Sequence, residues 1–175
     1  WRDKAGHEVD FVMARRGRTG LARLVMGSVT ARVIGHTDRK VLVVPRAARF
    51  TCARILVATD GSPFSEAAVT EALSLSKRCN GTVFAVSAAF SAATRHEAEA
   101  SVDAVKEQGE KDGVEVEGIV GTGEPYESIM SAAADNEADL IVVGSHGRTG
   151  IERLLLGSVA ERVIGHADCA VLVAK

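Results

Sequence analysis

The chain has 175 residues, 46% of them hydrophobic, and its 21 basic and 23 acidic side chains leave a net charge of -2. That hydrophobic content suffices for a packed core, so we expect no extended disorder. The small negative charge, with no basic cluster, argues against nucleic acid as a partner. No apolar run reaches the length of a membrane span and no signal peptide opens the chain, so we expect a cytoplasmic protein without a membrane partner.

An internal repeat organises the chain. Residues 17–43 align without gaps on residues 147–173 at an offset of 130, and 18 of the 27 positions are identical. Because a repeat of this kind marks related structural units, we interpret residues 1–46 as the last β-α-β unit of a partial module, with a strand at 10–14. Pro45 marks the start of a polar joint after this unit, and we assign residues 47–51 as the linker. The complete module is expected at 52–175.

The complete module alternates predicted strands and helices. An apolar strand at 54–59 is followed by Ser62 and Pro63, which suit the N-cap and first position of a helix. Further strands are predicted at 82–88, 114–120, 140–143 and 170–174, with helices between them. The strand at 114–120 alternates apolar and acidic residues, which suits a sheet edge. This alternation of elements predicts a parallel sheet with helices on both faces.

A glycine pattern follows the apolar strand at 140–143. Its spacing is Gly144-x2-Gly147-x9-Gly157-Ser158, and a helical apolar pattern begins directly afterwards. Backbone without Cβ atoms approaches a ligand closely, and a helix N-terminus at Ser158 offers unpaired N–H donors and a positive dipole end. This chemistry suits a phosphate chain.

The glycine spacing, its flanking strands and the sequences HGRTG and GSVAERVI resemble the C-terminal half of a universal stress protein domain of the nucleotide-binding branch. The resemblance implies an α/β fold, similar to the adenine nucleotide alpha hydrolases, with a five-stranded parallel sheet of order 3-2-1-4-5. It also implies ATP as the ligand. In such sheets the ligand lies beyond the carboxyl ends of the strands, where the strand order reverses.

The candidate binding residues follow from matching the family's positions to this sequence. The adenine and ribose positions are Ala58, Thr59 and Asp60, with Ala88 at the adenosine-contacting end of the second strand, and the phosphate positions are Gly144, Gly147, Gly157 and Ser158. We add Arg148, because a guanidinium in the glycine loop suits the outer phosphates.

Several of these residues also have a purely structural interpretation. Asp60 precedes Gly61 and Ser62, which is common turn chemistry. Gly144 and Gly147 suit a tight turn after a strand. Arg148 recurs as Arg18 in the repeat, which favours a shared structural role, and His146 in the same loop is a weak candidate for acid-base chemistry.

The function expected from the sequence is an ATP-binding regulator of the stress response. The chain has no G-x4-G-K-(S/T) loop and no carboxylate beside Gly144, so we name no catalytic residue and expect hydrolysis to be absent or slow. One alternative is a slow ATPase with Mg²⁺ on the triphosphate. Another is a dimerisation domain that binds no nucleotide.

The last strand suggests how the two modules associate. The resemblance places residues 170–174 at the sheet edge, and in universal stress protein dimers the last strands meet across a two-fold axis. An apolar edge strand requires a cover, and residues 40–44 repeat the sequence of the last strand. We therefore predict that residues 40–44 pair antiparallel with 170–174, either within the chain as a pseudo-dimer or between chains of a homo-oligomer. The partial module by itself is expected to bind no nucleotide.

Overall fold

The computed structural model describes residues 11–15, 26–148 and 156–175. Strands and helices alternate through the chain. The strands are β1 (Phe11–Arg15), β2 (Val41–Pro45), β3 (Arg54–Ala58), β4 (Thr82–Ala89), β5 (Val116–Thr122), β6 (Leu140–Gly144) and β7 (Ala170–Ala174). The helices are α1 (Ser28–His36), α2 (Pro63–Cys79), α3 (Ala92–Asp112), α4 (Pro125–Asp135) and α5 (Ser158–His166).

Local signals set the ends of α2 as the sequence predicts. Ser62 is the N-cap, its Oγ accepts from the backbone N–H of Ser65 at 3.3 Å, and Pro63 occupies the first turn. Asn80 ends the helix in the left-handed conformation, with φ of 52°. The predicted start and end of this helix are confirmed.

The sheet differs from the prediction. All seven strands form one sheet in the order β1-β2-β7-β6-β3-β4-β5. The prediction of a wholly parallel sheet with five strands is therefore wrong, because β1 and β2 extend the same sheet and β2 pairs antiparallel with β7. The predicted order 3-2-1-4-5 describes β3 to β7 and not the sheet as a whole. The remaining neighbours are parallel. From β3 to β7, the strands lie in the order β5-β4-β3-β6-β7, so the chain crosses to the other side of β3 after β5.

The pairing of β2 with β7 explains the longer sheet. Val41 pairs with Val173 and Val43 with Val171, and Val41, Val43, Val171 and Val173 are all at most 1% exposed. The β7 edge is apolar, and β2 covers it so that its N–H and C=O groups are paired. The predicted antiparallel pairing is confirmed within the chain, whereas the homo-oligomer stays a prediction.

Helices cover both faces of the sheet, as predicted. One face carries α1, α4 and α5, whose residues Ile34, Ile129 and Val163 pack with Leu56 and Phe84 of the sheet. The other face carries α2 and α3, whose apolar residues pack on Ile55 and Val57. Central strand residues are buried on both faces, which is typical of parallel sheets. Within the described ranges, no helix is both long and apolar enough to cross a membrane.

Candidate functional site

A cavity of about 320 Å³ lies at the carboxyl ends of β3, β4 and β6. It occupies the point where the chain crosses to the other side of β3, which is where ligands bind in open α/β sheets. The nine residues predicted as ligand contacts all line it: Ala58, Thr59, Asp60, Ala88, Gly144, Gly147, Arg148, Gly157 and Ser158. The structure thus brings together loops that are far apart in sequence, while the binding role of each residue stays a prediction.

The Asp60 carboxylate joins two of these loops. Its Oδ1 accepts from the N–H of Ser62 at 3.0 Å, and its Oδ2 accepts from the N–H of Arg148 at 2.9 Å. Burial by itself raises the pKa of Asp60, but hydrogen bonds from Ser62, Arg148 and Ser65 outweigh it and lower the pKa below its ordinary value. The carboxylate is therefore ionised near neutral pH. Asp60 serves the turn after β3 and also connects that turn to the glycine loop.

The Arg148 side chain forms contacts that its predicted phosphate role did not include. Its Nε donates to the backbone oxygen of Asp60 at 2.6 Å, and its Nη1 donates to the Glu97 carboxylate of α3. Both partners of the Arg148–Glu97 ion pair are about half exposed. In this structure the guanidinium therefore ties the glycine loop to β3 and α3 at the cavity mouth.

Three glycines line the cavity, Gly144 at the end of β6 and Gly147 and Gly157 beyond it, and each leaves little room for a side chain. A Cβ at Gly144 would lie 2.6 Å from the backbone oxygen of Phe64, so this glycine lets α2 pack closely on β6. A Cβ at Gly147 would lie 3.0 Å from Asp60 Oδ2, and one at Gly157 would lie 3.3 Å from the Cα of His146. The packing of α2 on β6 therefore explains why a glycine stands at position 144, and the motif spacing did not indicate this role.

The N-terminus of α5 opens on the cavity. Gly157 is the N-cap, with φ of -67° and ψ of 143°, and among the described residues no side chain forms a capping hydrogen bond. Ser158 is therefore the first helical residue and not the cap. The first intrahelical bond is donated by Glu161 N–H to the oxygen of Gly157 at 2.9 Å. The N–H groups of residues 158–160 have no intrahelical acceptor, and all three residues line the cavity.

The opposite end of the cavity is mainly apolar. Val86 and Ala88 of β4 line it together with Pro125 and Ile129 of α4, and Phe90 stands on the rim with 61% of its surface exposed. Sequence reasoning missed the contribution of α3 and α4. The missed lining residues are Ser65, Val86, Ser87, Phe90, Thr94, Glu97, Ala98, Pro125, Ser128, Ile129, Val143, Val159 and Ala160. Pro125, which opens a helix just after a strand, was the one available signal.

His146 also lines the cavity. Its ring lies 5.0 Å from that of Phe64, and its Nδ1 is 3.1 Å from Ser145 Oγ. These contacts hold the imidazole against the N-terminal turn of α2. The position gives the ring a packing role beside the glycine loop.

The model of the universal stress protein family matches residues 11–45 and 52–175. The chain belongs to the universal stress protein family. A universal stress protein of Methanocaldococcus jannaschii is 36% identical over 138 residues, a match that covers 70% of this chain and 81% of the relative. One of Mycobacterium tuberculosis is 33% identical, covering 94% of this chain and 61% of the relative. The chain therefore spans about three fifths of that mycobacterial protein.

Solved structures of the family agree with the fold. A universal stress protein from Archaeoglobus fulgidus superposes with a TM-score of 0.75 at 24% identity, covering 94% of this chain and 62% of the other. A universal stress protein in complex with cAMP superposes with a TM-score of 0.60 at 28% identity, covering 69% of this chain and 94% of the other. The first match extends into the N-terminal strands.

Proposed function

We propose that this universal stress protein binds ATP in the cavity beyond β3, β4 and β6 and acts as a nucleotide-dependent regulator of the stress response. The observation that carries the proposal is the two-ended chemistry of that cavity. One end presents glycines and backbone N–H groups that have no intrahelical acceptor, and the other is lined in large part by apolar side chains. A nucleotide has the same two-ended character, with an anionic phosphate chain and a flat base.

The anion end is formed by α5 and the glycine loop. The N–H groups of residues 158–160 and the positive end of the helix dipole favour a phosphate group there. Gly147 and Gly157 keep side chains out of this end, since a Cβ at either position would approach neighbouring atoms within 3.3 Å. A phosphate oxygen can therefore come close to the backbone.

The apolar end suits the base. Val86, Ala88 and Ile129 supply carbon surface, and a cavity of about 320 Å³ is within the range of small-molecule sites. A relative of known structure is in complex with cAMP, which is an adenine nucleotide. That relative supports the choice of adenine for the nucleotide proposed here.

Binding without fast hydrolysis fits the chemistry of Asp60. Both carboxylate oxygens accept backbone N–H bonds, and the lowered pKa makes the group a weak base. A general base works best when its pKa lies near the operating pH. We therefore propose a binding protein whose hydrolysis, with Mg²⁺ on the triphosphate, is at most slow.

The test is to identify and titrate the ligand. Mass spectrometry of the small molecules released when the purified protein is denatured should detect an adenine nucleotide, and calorimetry of the emptied protein should show ATP binding. Single-turnover phosphate release then separates a binding protein from a slow ATPase. Absence of any nucleotide in the released fraction, together with no heat of ATP binding, would refute the proposal.

A further inference from the structure

One polar atom in the cavity wall lacks a partner. Ser128 lies in the second turn of α4 and is 8% exposed. Its Oγ has almost no contact with solvent and, within the part of the chain that the structure describes, no hydrogen-bond partner. A buried hydroxyl that loses its water contacts without gaining a protein partner destabilises the folded state. A hydroxyl of this kind in a cavity wall can take its partner from a bound ligand.

Ser128 stands at the apolar end of the cavity. Gly121 of β5 pairs with Ala88 of β4, and a Cβ at Gly121 would lie 2.3 Å from Ser128 Oγ. Any larger residue at position 121 would therefore collide with the hydroxyl. The pairing brings Ser128 beside Ala88, which is the position predicted to contact adenosine.

The end of the cavity away from Ser128 is formed by the glycine loop and the start of α5, and it suits phosphate. The glycines after β6 and the start of α5 lie on one side of β3, whereas β4, β5 and the start of α4 lie on the other. A nucleotide with its phosphates at α5 therefore extends its base across β3 towards α4. The nitrogen-bearing edge of a purine then enters a wall to which Val86, Pro125 and Ile129 contribute carbon atoms, with the polar side chains of Ser87 and Thr94 also in the lining.

We propose that the Ser128 hydroxyl hydrogen-bonds the polar edge of the purine base. The inference rests on the proposed binding of ATP and adds a residue that selects the base. A purine edge buried without a partner loses affinity, and the Ser128 hydroxyl has no hydrogen-bond partner among the described residues, so one bond satisfies both groups. In the described rotamer Oγ packs beside Gly121, and rotation about the Cα–Cβ bond to another staggered position carries it into the cavity. A hydroxyl both donates and accepts, so it can pair with a ring nitrogen or with an amino group.

The test uses Ser128→Ala with Ser131→Ala as its matched control. Ser131 lies on the same helix, but its Oγ donates to Asp135 at 3.1 Å on the exposed side and it does not line the cavity. Calorimetry is performed on emptied full-length protein with two probes, ATP and inorganic tripolyphosphate, which carries no base. We expect Ser128→Ala to weaken ATP binding by about three- to tenfold, the effect of one neutral hydrogen bond. We expect tripolyphosphate binding to be unchanged in both variants.

The Tm of the protein without nucleotide is a second readout. If Ser128 had a purely structural role, Ser128→Ala would lower this Tm. Removing a hydroxyl that has no partner should leave the Tm of Ser128→Ala equal to or above that of the wild type. A lower Tm would mean that the hydroxyl is already bonded in the empty protein, and this would overturn the inference.

The binding outcomes separate this inference from the proposed function. If the wild type binds ATP and Ser128→Ala binds it equally well, the inference is wrong and the proposed function stands. If Ser128→Ala weakens the binding of tripolyphosphate as much as the binding of ATP, the hydroxyl does not act on the base and the inference is again wrong. If the wild type binds no ATP, both are wrong.

Discussion

Leu42 and Leu172 lie opposite each other in the antiparallel pair formed by β2 and β7, and they are the same position of the repeat, 130 residues apart. The pairs on either side, Val41 with Val173 and Val43 with Val171, are exchanged by the same relation. The junction is therefore locally two-fold symmetric, with its axis between the two leucines. Two equivalent strands meet here as the subunits of a symmetric dimer would.

Two cations, one from each repeat, add side-chain hydrogen bonds to this junction. The Arg15 guanidinium of β1 donates to the backbone oxygens of Gly165 and Ala167 at the end of α5. Lys175, which follows β7, donates from Nζ to the backbone oxygen of Ile34 near the end of α1 at 2.6 Å. A cation at a helix C-terminus donates to carbonyl groups that lack intrahelical donors. It also interacts favourably with the negative end of the helix dipole. Each repeat therefore caps a helix of the other, so the N-terminal segment is bonded to the complete module through side chains as well as strands.

The first prediction tests whether this junction contributes to the stability of the whole fold. Leu42 is 6% exposed and packs in the core beside β7, so Leu42→Glu should lower the free energy of unfolding by about 3 kcal/mol or more, because it buries an unpaired charge. Urea denaturation measures the effect. Val29→Glu on α1, where Val29 is 66% exposed, should change stability by less than about 0.5 kcal/mol. Equal midpoints for Leu42→Glu and the wild type would mean that the N-terminal segment is not coupled to the fold.

The second prediction uses the repeat to supply a control for the phosphate end. A Cβ at Gly157 would lie 3.3 Å from the Cα of His146 and from the oxygen of Ser145, whereas at Gly27, the same position of the other repeat, it would meet no atom of the described residues within 4 Å. Gly157→Val should therefore displace the glycine loop and weaken ATP binding by about tenfold or more, since a phosphate needs close backbone approach. Gly27→Val should bind ATP as the wild type does. Calorimetry showing equal affinity for both variants would contradict the phosphate assignment.

Much of the fold could be predicted because its signals are local. Ser62 with Pro63 sets the start of α2, and Asn80 sets its end, since capping depends on neighbouring residues. The predicted pairing of residues 40–44 with 170–174 joins the N-terminal unit to the sheet, and the predicted count of five strands failed because it left this long-range pairing out. The repeat, the apolar edge strand and the dimer arrangement implied by the family resemblance together indicated that β2 and β7 would meet.

The candidate site was predictable to a different degree on its two sides. The glycine loop and Asp60 have sequence patterns, and the structure brings them into one cavity. Glu97 pairs with Arg148 over a separation of 51 residues, and Ser128 reaches the cavity through the packing of α4 on β5. Neither residue stands in a pattern that marks it, so a single sequence does not reveal them.

The third prediction concerns pH. The pKa of Asp60 is lowered from its ordinary value of 3.8, so the folded state releases this proton more readily than the unfolded state. Its contribution to stability is therefore present above about pH 4 and is lost as the pH falls through the folded pKa. Asp60→Asn should be less stable than the wild type at pH 7, and the difference should shrink as the pH falls below 4. Urea midpoints at pH 7, 4 and 3 measure it, and a difference that grows towards low pH would contradict the assigned direction.

The fourth prediction separates two glycines that the motif treats alike. A Cβ at Gly144 would lie 2.6 Å from the oxygen and 2.8 Å from the carbonyl carbon of Phe64, which are backbone atoms of α2. At Gly147 the nearest atom is Asp60 Oδ2 at 3.0 Å, a side-chain atom that can move. Gly144→Ala should therefore cost about 1–3 kcal/mol of stability, the typical effect of overpacking, because β6 and α2 must separate.

Gly147→Ala is the matched variant, and we expect it to affect ATP affinity more than stability. Its stability loss should be the smaller of the two, because the Asp60 carboxylate can shift, whereas its ATP affinity should fall as the added methyl group enters the anion end of the cavity. Urea denaturation and ATP calorimetry on both variants provide the comparison. If Gly144→Ala leaves stability unchanged and lowers only ATP affinity, then Gly144 serves the binding of the phosphate and not the packing of α2 against β6.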